Sequence, residues 1–430
     1  MLNKTNNTSP FTSIKRSLRS KEGKVLVANF SWLSALQIAG YLFPLITYPY
    51  LAKVIGVEGF GKIAFAMAII AWFQTVTDWG FNYTATRDVA KNRDNPQIVS
   101  EIFSNVLWSR VFLAFVSFAV LCALIFIIPK FKENSNIILI SFLMIPGNIM
   151  FPEWFFQACE KMKYTSIINI VIKALFTMAV FIFIKEGKDY ILQPLLNSVS
   201  YLICGTAALY IIVFRWGIRI KRPSVNTIWV TIKNSTDVFI NNLAPNLYNS
   251  FSKILLGVYS IGGFFNGILD AADKIITVLY QFILVISRTF FPFLARRMDK
   301  HGIFVRIYIS VTVMIAIIVC LFAPTIIKTL FSEDFMQAVL PLRILSISMV
   351  FMSLSNAYGT NYLILLGKEK ILRNITLVSS IIGCVMSLIF VKKYGYLGAV
   401  VVIAFVRVLL GTWITIKANS IKIQNEHLIN

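Results

Sequence analysis

The sequence predicts an all-α polytopic membrane protein, with about twelve transmembrane helices in two six-helix lobes around a central cavity. Three observations carry this. Of 430 residues, 57% are hydrophobic and only 14% charged, against about 25% charged in a soluble domain. Apolar runs of 18 residues or more recur from residue 25 to residue 418, each long enough to span a bilayer. The runs are solid rather than alternating, which excludes an outer-membrane barrel. A soluble enzyme, a nucleic-acid-binding domain and a disulfide scaffold are excluded with it.

The spans are expected at 25–51, 61–83, 103–128, 136–157, 165–184 and 190–214, then at 234–260, 266–293, 303–327, 337–365, 372–391 and 396–416. The 41 Lys and Arg against 19 Asp and Glu leave a net charge of +22. Nucleic acid is not the expected partner, because basic residues collect in cytoplasmic loops as topology signals. With a cytoplasmic N-terminus, inside segments hold 25 Lys and Arg, outside loops 9, and spans the other 7. That asymmetry places both termini in the cytoplasm. The first 24 residues are polar and basic and lead into an apolar stretch without a small-residue cleavage site, so no cleaved signal peptide is expected.

The most basic internal loop, Arg215–Pro223, follows span six. It divides the chain into a tail (1–24), an N-terminal lobe (25–220) and a C-terminal lobe (221–430). An internal echo supports the division. Val54-Ile-Gly-Val-Glu-Gly-Phe-Gly61 follows the first span of one half, and Val258-Tyr-Ser-Ile-Gly-Gly-Phe-Phe265 the first span of the other. Six-span halves related by an axis along the membrane normal are a common transporter plan.

Enzymatic readings find little support. Cys122, Cys159, Cys204, Cys320 and Cys384 lie in or beside apolar segments with no CxxC pattern, so neither a disulfide framework nor a metal site is expected. The two histidines, His301 and His427, stand apart. No P-loop, HExxH or GxSxG motif occurs, and no loop is long enough for a catalytic or nucleotide-binding domain. No cofactor is expected.

The informative residues are the charged and polar ones inside spans. Arg110, Lys173, Lys253, Lys274, Arg288, Arg343 and Arg407 all fall there. A cation at the bilayer centre costs about 2.5–3.5 kcal/mol even on insertion scales. Most must therefore face a polar interior, pair with acids or snorkel; Arg110 and Arg288, near span ends, are expected to snorkel. In span seven, Asn242, Asn246, Asn249 and Lys253 recur at i, i+4, i+7 and i+11, one helical face. Asp270, Lys274, Thr277, Gln281 and Arg288 share a face of span eight, and span five adds Asn169, Lys173 and Thr177. Span one carries Ser34, Gln37, Tyr41 and Tyr48. Pro44 and Pro245 are hinge candidates, since each removes a helix hydrogen bond.

Such stripes serve either as helix–helix glue or as the lining of a water-filled cavity. Four or five polar residues on one face favour the cavity. Its lining candidates are Lys173, Lys253, Lys274, Asn242, Asn246, Asn249, Gln37, Tyr41, Arg343 and Arg407, a basic set suited to an anionic ligand. Asp78, Glu153, Asp237, Asp270 and Asp273 are candidates for a coupling ion, although Asp270 can instead pair with Lys274 four residues on.

Several stretches also resemble a known family. Pro44-Leu-Ile-Thr-Tyr-Pro-Tyr-Leu51, followed by Gly56 and Gly59-Phe-Gly61, resembles the first-span signature of the O-antigen flippase (Wzx) family. Asp78-Trp-Gly-Phe-Asn-Tyr-Thr-Ala-Thr86 resembles its second, and Pro152-Glu-Trp-Phe-Phe-Gln157 with Glu160-Lys-Met162 its third. The three occur in family order; Ala158-Cys159 stands where relatives often carry Gly before the Glu. The resemblance implies the multidrug/oligosaccharidyl-lipid/polysaccharide exporter superfamily, with two lobes working by alternating access in a bacterial inner membrane. It implies an undecaprenyl-diphosphate-linked oligosaccharide as substrate, coupling to an H+ or Na+ gradient, and membrane lipids, a glycan polymerase and a chain-length regulator as partners. Two alternatives stand beside it. One is a drug or metabolite cation antiporter of the same superfamily, which should show unpaired acids at the midplane. The other is a non-transporting scaffold for glycan assembly, whose polar stripes should be packed shut.

Overall fold

A hydrocarbon core offers peptide groups no water, so a chain this apolar satisfies its backbone within helices. The computed structural model describes residues 21–260 and 262–429, apart from the side chains of 21–31, 33–38, 41, 292 and 425–429. The described residues are helices joined by short turns. Nine segments among them are long and apolar enough to cross a membrane. The protein is an all-helical polytopic membrane protein.

The helices run in order as α1 (Lys21–Asp78), α2 (Phe81–Lys91) and α3 (Pro96–Ile127), then three short pieces α4 (Ser135–Phe142), α5 (Met144–Met150) and α6 (Glu153–Ala158). α7 (Met162–Phe183) and α8 (Leu192–Tyr210) complete the first half. The second half holds α9 (Val225–Leu243), α10 (Asn249–Tyr259), α11 (Phe264–Arg296), α12 (His301–Leu330), α13 (Val339–Ser355) and α14 (Glu369–Ile429).

Two of these are too long for one crossing. α1 has 58 residues and α14 has 61, about 90 Å each at 1.5 Å per residue, three times the hydrocarbon thickness. Each contains one residue off helical geometry: Gly56 at φ 67°, ψ 179° and Gly395 at φ 59°, ψ −134°. Only glycine adopts such dihedrals readily, so each glycine folds a long helix into two. Helical dihedrals continue through Pro44 and Pro49. Pro245 differs, because it lies in a 3-10 turn, Ala244–Leu247, that separates α9 from α10. The two hinge candidates are therefore not equivalent in the structure. The break falls inside the expected span 234–260 and corrects its four-residue polar stripe, which does not lie on one continuous helix.

The two echo segments meet face to face. A Cβ on Gly61 would sit 1.8 Å from the Gly263 carbonyl oxygen, and one on Gly267 would sit 2.3 Å from that of Val57. Only hydrogen at these positions allows such backbone approach, the small-residue packing typical of membrane helices. α5 and α8 cross similarly, where a Cβ on Gly205 would meet the Gly147 carbonyl at 2.7 Å. One large buried core runs through both halves, from Leu51, Phe65 and Ile70 to Ile276, Tyr308 and Phe335. A second joins Phe81, Phe103 and the Trp154-Phe155-Phe156 run of the third motif. The outward faces are apolar too: Phe126 of α3 and Leu321 of α12 are 89% and 68% exposed, as side chains facing lipid are.

Gly61→Ala is expected to destabilise the protein more than Gly56→Ala. The first places a methyl group into backbone. The second meets no atom within 4 Å and carries only the strain of its dihedrals, about 1–3 kcal/mol. Thermal unfolding in detergent checks the order.

Candidate functional site

Of the seven cations inside the spans, Arg110, Lys253, Lys274, Arg407 and Lys173 fall into three groups, while Arg288 and Arg343 are exposed. Arg110 is 4% exposed and donates to Asp78 at the end of α1. It is buried and paired, which corrects the expected snorkelling; the pair ties α3 to the second motif.

The second group lies in the C-terminal half. Lys253 of α10 donates to Asp270 Oδ1 and Asp273 Oδ2, both at 2.9 Å. Lys274 Nζ is 3.1 Å from Asp270 Oδ2, and Arg407 of α14 donates to Asp273 Oδ1 at 2.9 Å. Arg407 also reaches Ser348 Oγ at 3.4 Å. All four carboxylate oxygens thus contact a cation, and three cations face two carboxylates. Lys253 is not the unpaired lysine that helical spacing suggested. Ion pairing offsets the desolvation of each charge, and removing one partner would strand the rest. The surplus cation is Lys274, whose Nζ lies 4.0 Å from the ring centroid of Tyr48 in α1, a cation–π contact.

Tyr48 is also part of the wall of the third group, a cavity of about 380 Å³ in the N-terminal half. α1 contributes Pro44, Thr47, Tyr48 and Gln74; α7 contributes Asn169, Lys173 and Thr177; α8 contributes Gln193, Asn197, Ser200 and Tyr201. Thr47 and Thr177 approach within 3.3 Å and tie α1 to α7. Lys173 is half-buried and has no carboxylate within ion-pair distance among the described residues. Gln193 is buried, and its Oε1 has no hydrogen-bond partner among them. A lysine with no carboxylate at ion-pair distance among the described residues, four amides and two tyrosines in one cavity can bind an anion together with hydroxyl-rich groups.

The other expected residues are dispersed. Asn246 donates to Thr75 Oγ1 at 2.7 Å, across the two halves. Asn249 has a buried Oδ1 without a partner among the described residues, and Asn242 and Asp237 are exposed. Arg343 is exposed and donates to the Cys320 carbonyl at 3.1 Å. Glu153 is exposed and accepts from Asn169 at 2.7 Å, one residue away from the cavity. The side chains of Gln37 and Tyr41 lie outside the described residues. Spacing did contain one signal that was passed over: Gln193, Asn197, Ser200 and Cys204 recur at i, i+4, i+7 and i+11 of span six, and all four line the cavity. Gln74, beside Thr75, Thr77 and Asp78 near the end of span two, was not among the residues that spacing singled out.

Comparison with known proteins places this geometry. Residues 26–298 match the family described as "Polysaccharide biosynthesis protein". The "Putative O-antigen transporter" of Escherichia coli (strain K12) is 26% identical over 381 residues, covering 87% of this chain and 92% of that protein. Its namesake from Shigella dysenteriae is 26% identical over 379 residues, 86% and 94% of the two chains. Among solved structures, an inward-facing multidrug resistance MATE family transporter of the MOP superfamily superposes with a TM-score of 0.68 at 11% identity, over 91% of this chain and 97% of that one. The lipid II flippase MurJ in an inward closed conformation gives 0.68 at 12% identity, over 91% and 87%. The fold is that of these transporters.

Asp273→Ala strands Arg407 in the interior and leaves Lys253 only Asp270 as a partner. It is expected to cost about 3–5 kcal/mol. Arg343→Ala, exposed and bonded to one carbonyl, should stay within about 0.5 kcal/mol of the parent. Unfolding midpoints in detergent compare the two.

Proposed function

This chain belongs to the polysaccharide biosynthesis protein family, and from that premise we propose that it is a flippase for a lipid-linked oligosaccharide. The substrate is a glycan repeat unit on undecaprenyl diphosphate, an O-antigen unit in the named relatives' sense. It is turned from the cytoplasmic to the periplasmic leaflet of a bacterial inner membrane. The chain does so as a transporter and not as an enzyme, since no bond is made or broken.

The carrying observation is Lys173, a cation without a carboxylate partner among the described residues, in a cavity walled by amides and tyrosines. Moving a glycan and a diphosphate through hydrocarbon strips every polar group of its water. In this reading Lys173 takes the diphosphate, and Gln74, Asn169, Gln193 and Asn197 take sugar hydroxyls. Tyr48 and Tyr201 offer ring faces, and the polyprenyl tail stays in lipid. Lys274, just beyond Tyr48, adds positive field. An open cavity suits transport better than a packed scaffold. A basic interior whose acids Asp78, Asp270 and Asp273 are ion-paired suits an anionic cargo better than a cationic one.

The architecture supporting the motion is two six-helix lobes, 25–220 and 221–430, with both termini cytoplasmic. Twelve crossings follow if the turns at Gly56 and Gly395 each divide a long segment and α9–α10 forms one more crossing, too polar to stand among the nine. The lobes alternate in exposing the cavity to either side. Coupling to a proton or sodium gradient belongs to the same reading, and Glu153, beside the cavity through Asn169, is the acid placed for it. A glycan polymerase and a chain-length regulator would act next on the product.

Lys173→Gln is expected to lower translocation of undecaprenyl-diphosphate-linked glycan in proteoliposomes by about tenfold or more, the loss of one charged hydrogen bond. Lys173→Arg should retain most of the rate, and Arg343→Gln all of it. Equal rates for Lys173→Gln and the parent would remove Lys173 from the site. An absence of translocation by folded parent protein, with or without a pH gradient, would remove the flippase reading.

A further inference from the structure

The second sequence motif lies outside the cavity, yet it holds one of the two non-glycine residues with a left-handed backbone among those described, the other being Glu160. At the turn between α1 and α2, Trp79 has φ 38° and Gly80 has φ 79°. A bulky side chain rarely adopts a left-handed backbone and does so only where its surroundings over-determine it. Trp79 packs against the aromatic core of its own half, and its ring meets the other half of the chain. The Trp79 indole lies flat on the Phe239 ring of α9, with centroids 3.8 Å apart and planes within 3°. Its Nε1 donates to Thr236 Oγ1 at 3.4 Å. The hydroxyls of Thr84 and Ser235 are 2.7 Å apart. Gly80 lets α9 come close: a Cβ there would sit 2.7 Å from that of Val238. One turn of α9, residues 235–239, is thus gripped by the Asp78-Trp-Gly turn. The buried Asp78–Arg110 pair anchors the grip to α3.

The opposite end of this contact between the halves is built differently. There Gly61, Gly263 and Gly267 bring backbone against backbone. At the Trp79 end Gly80 also comes close to α9, but ring stacking and side-chain hydrogen bonds add to the hold, and no ion pair crosses it among the described residues.

We infer that Trp79, Thr84, Ser235 and Phe239 form a clasp that must open and reclose during each transport cycle, with Trp79 and Phe239 as its positioning residues. The inference rests on the flippase reading, and the topology of that reading puts the clasp at the cytoplasmic face. Stacking and two hydrogen bonds hold the halves together. The left-handed backbone of Trp79 opposes them and relaxes when they part. A contact under such opposing terms is a bistable element.

The test starts from Thr84→Cys/Ser235→Cys with Cys122, Cys159, Cys320 and Cys384 replaced by Ser and the buried Cys204, which lines the cavity, kept. The short distance between the hydroxyls puts the two side chains within disulfide reach. Translocation of undecaprenyl-diphosphate-linked glycan in proteoliposomes is measured reduced, oxidised and reduced again. The expected result is a loss of at least about tenfold on oxidation, restored by reductant. An oxidised protein that keeps the reduced rate overturns the clasp and makes it a static seam. A substrate-free readout accompanies this. Spin labels at Lys91→Cys of α2 and Lys233→Cys of α9, both exposed positions, should report a second, longer distance whose share grows with Phe239→Ala. One distance unmoved by Phe239→Ala overturns the clasp. If the folded parent protein never translocates, the flippase reading fails, and the spin-label distances decide the clasp alone.

Discussion

The constraint behind the whole architecture is the absence of water from hydrocarbon. Every peptide group must find its partner within the helix, and every charge must find another charge or a cavity. The first requirement produces the long helices and concentrates chain reversal in tight turns such as those at Gly56 and Gly395. The second sorts the charges. Asp270, Asp273, Lys253, Lys274 and Arg407 neutralise one another almost completely. Asp78 and Arg110 do the same across α1 and α3. Lys173 is left facing the cavity.

The two halves treat their polar residues differently, although their first turns echo each other in sequence. The C-terminal half closes its charges into a network that locks α10, α11 and α14 together. The N-terminal half leaves amides around open volume. Tyr48 stands between them, one ring face toward Lys274 and an edge of the cavity wall in α1. The proposed transport therefore has an asymmetric basis, with a rigid charged core on one side and a receptive cavity on the other. Contacts between the halves are equally uneven, glycine backbone at one end and aromatic stacking at the other.

The family signatures acquire distinct physical roles. The Gly-rich stretch after the first span allows close backbone contact with its counterpart in the second half. The Asp78-Trp-Gly turn grips α9 and is braced by Arg110. In the third motif, Trp154, Phe155 and Phe156 fill the core beneath that turn, and Glu160 at its end pairs with Arg93 at 3.0 Å. Of the three signatures only the first reaches the cavity, through Pro44, Thr47 and Tyr48. The other two build the frame around it, and most of the residues proposed to meet the cargo lie outside the signatures.

The sequence by itself determined the class. Solid apolar runs can only be membrane helices, and the charge asymmetry of the loops carried the expected orientation. Helical spacing pointed to Lys173 and to the pairing of Asp270 with Lys274, because partners four residues apart share a face whatever the tertiary fold. Only the tertiary structure decided which charges are partnered across helices. Lys253 reads as unpaired along its own helix and meets Asp270 and Asp273 from the next one; Arg407 reaches Asp273 from 134 positions away. The break at Ala244–Leu247 undid the apparent stripe of span seven, and Gln74 entered the cavity without spacing having singled it out. Periodicity describes one helix at a time. The pairing of buried charges and the shape of a cavity are properties of helices packed together, which is why spacing alone could not resolve them.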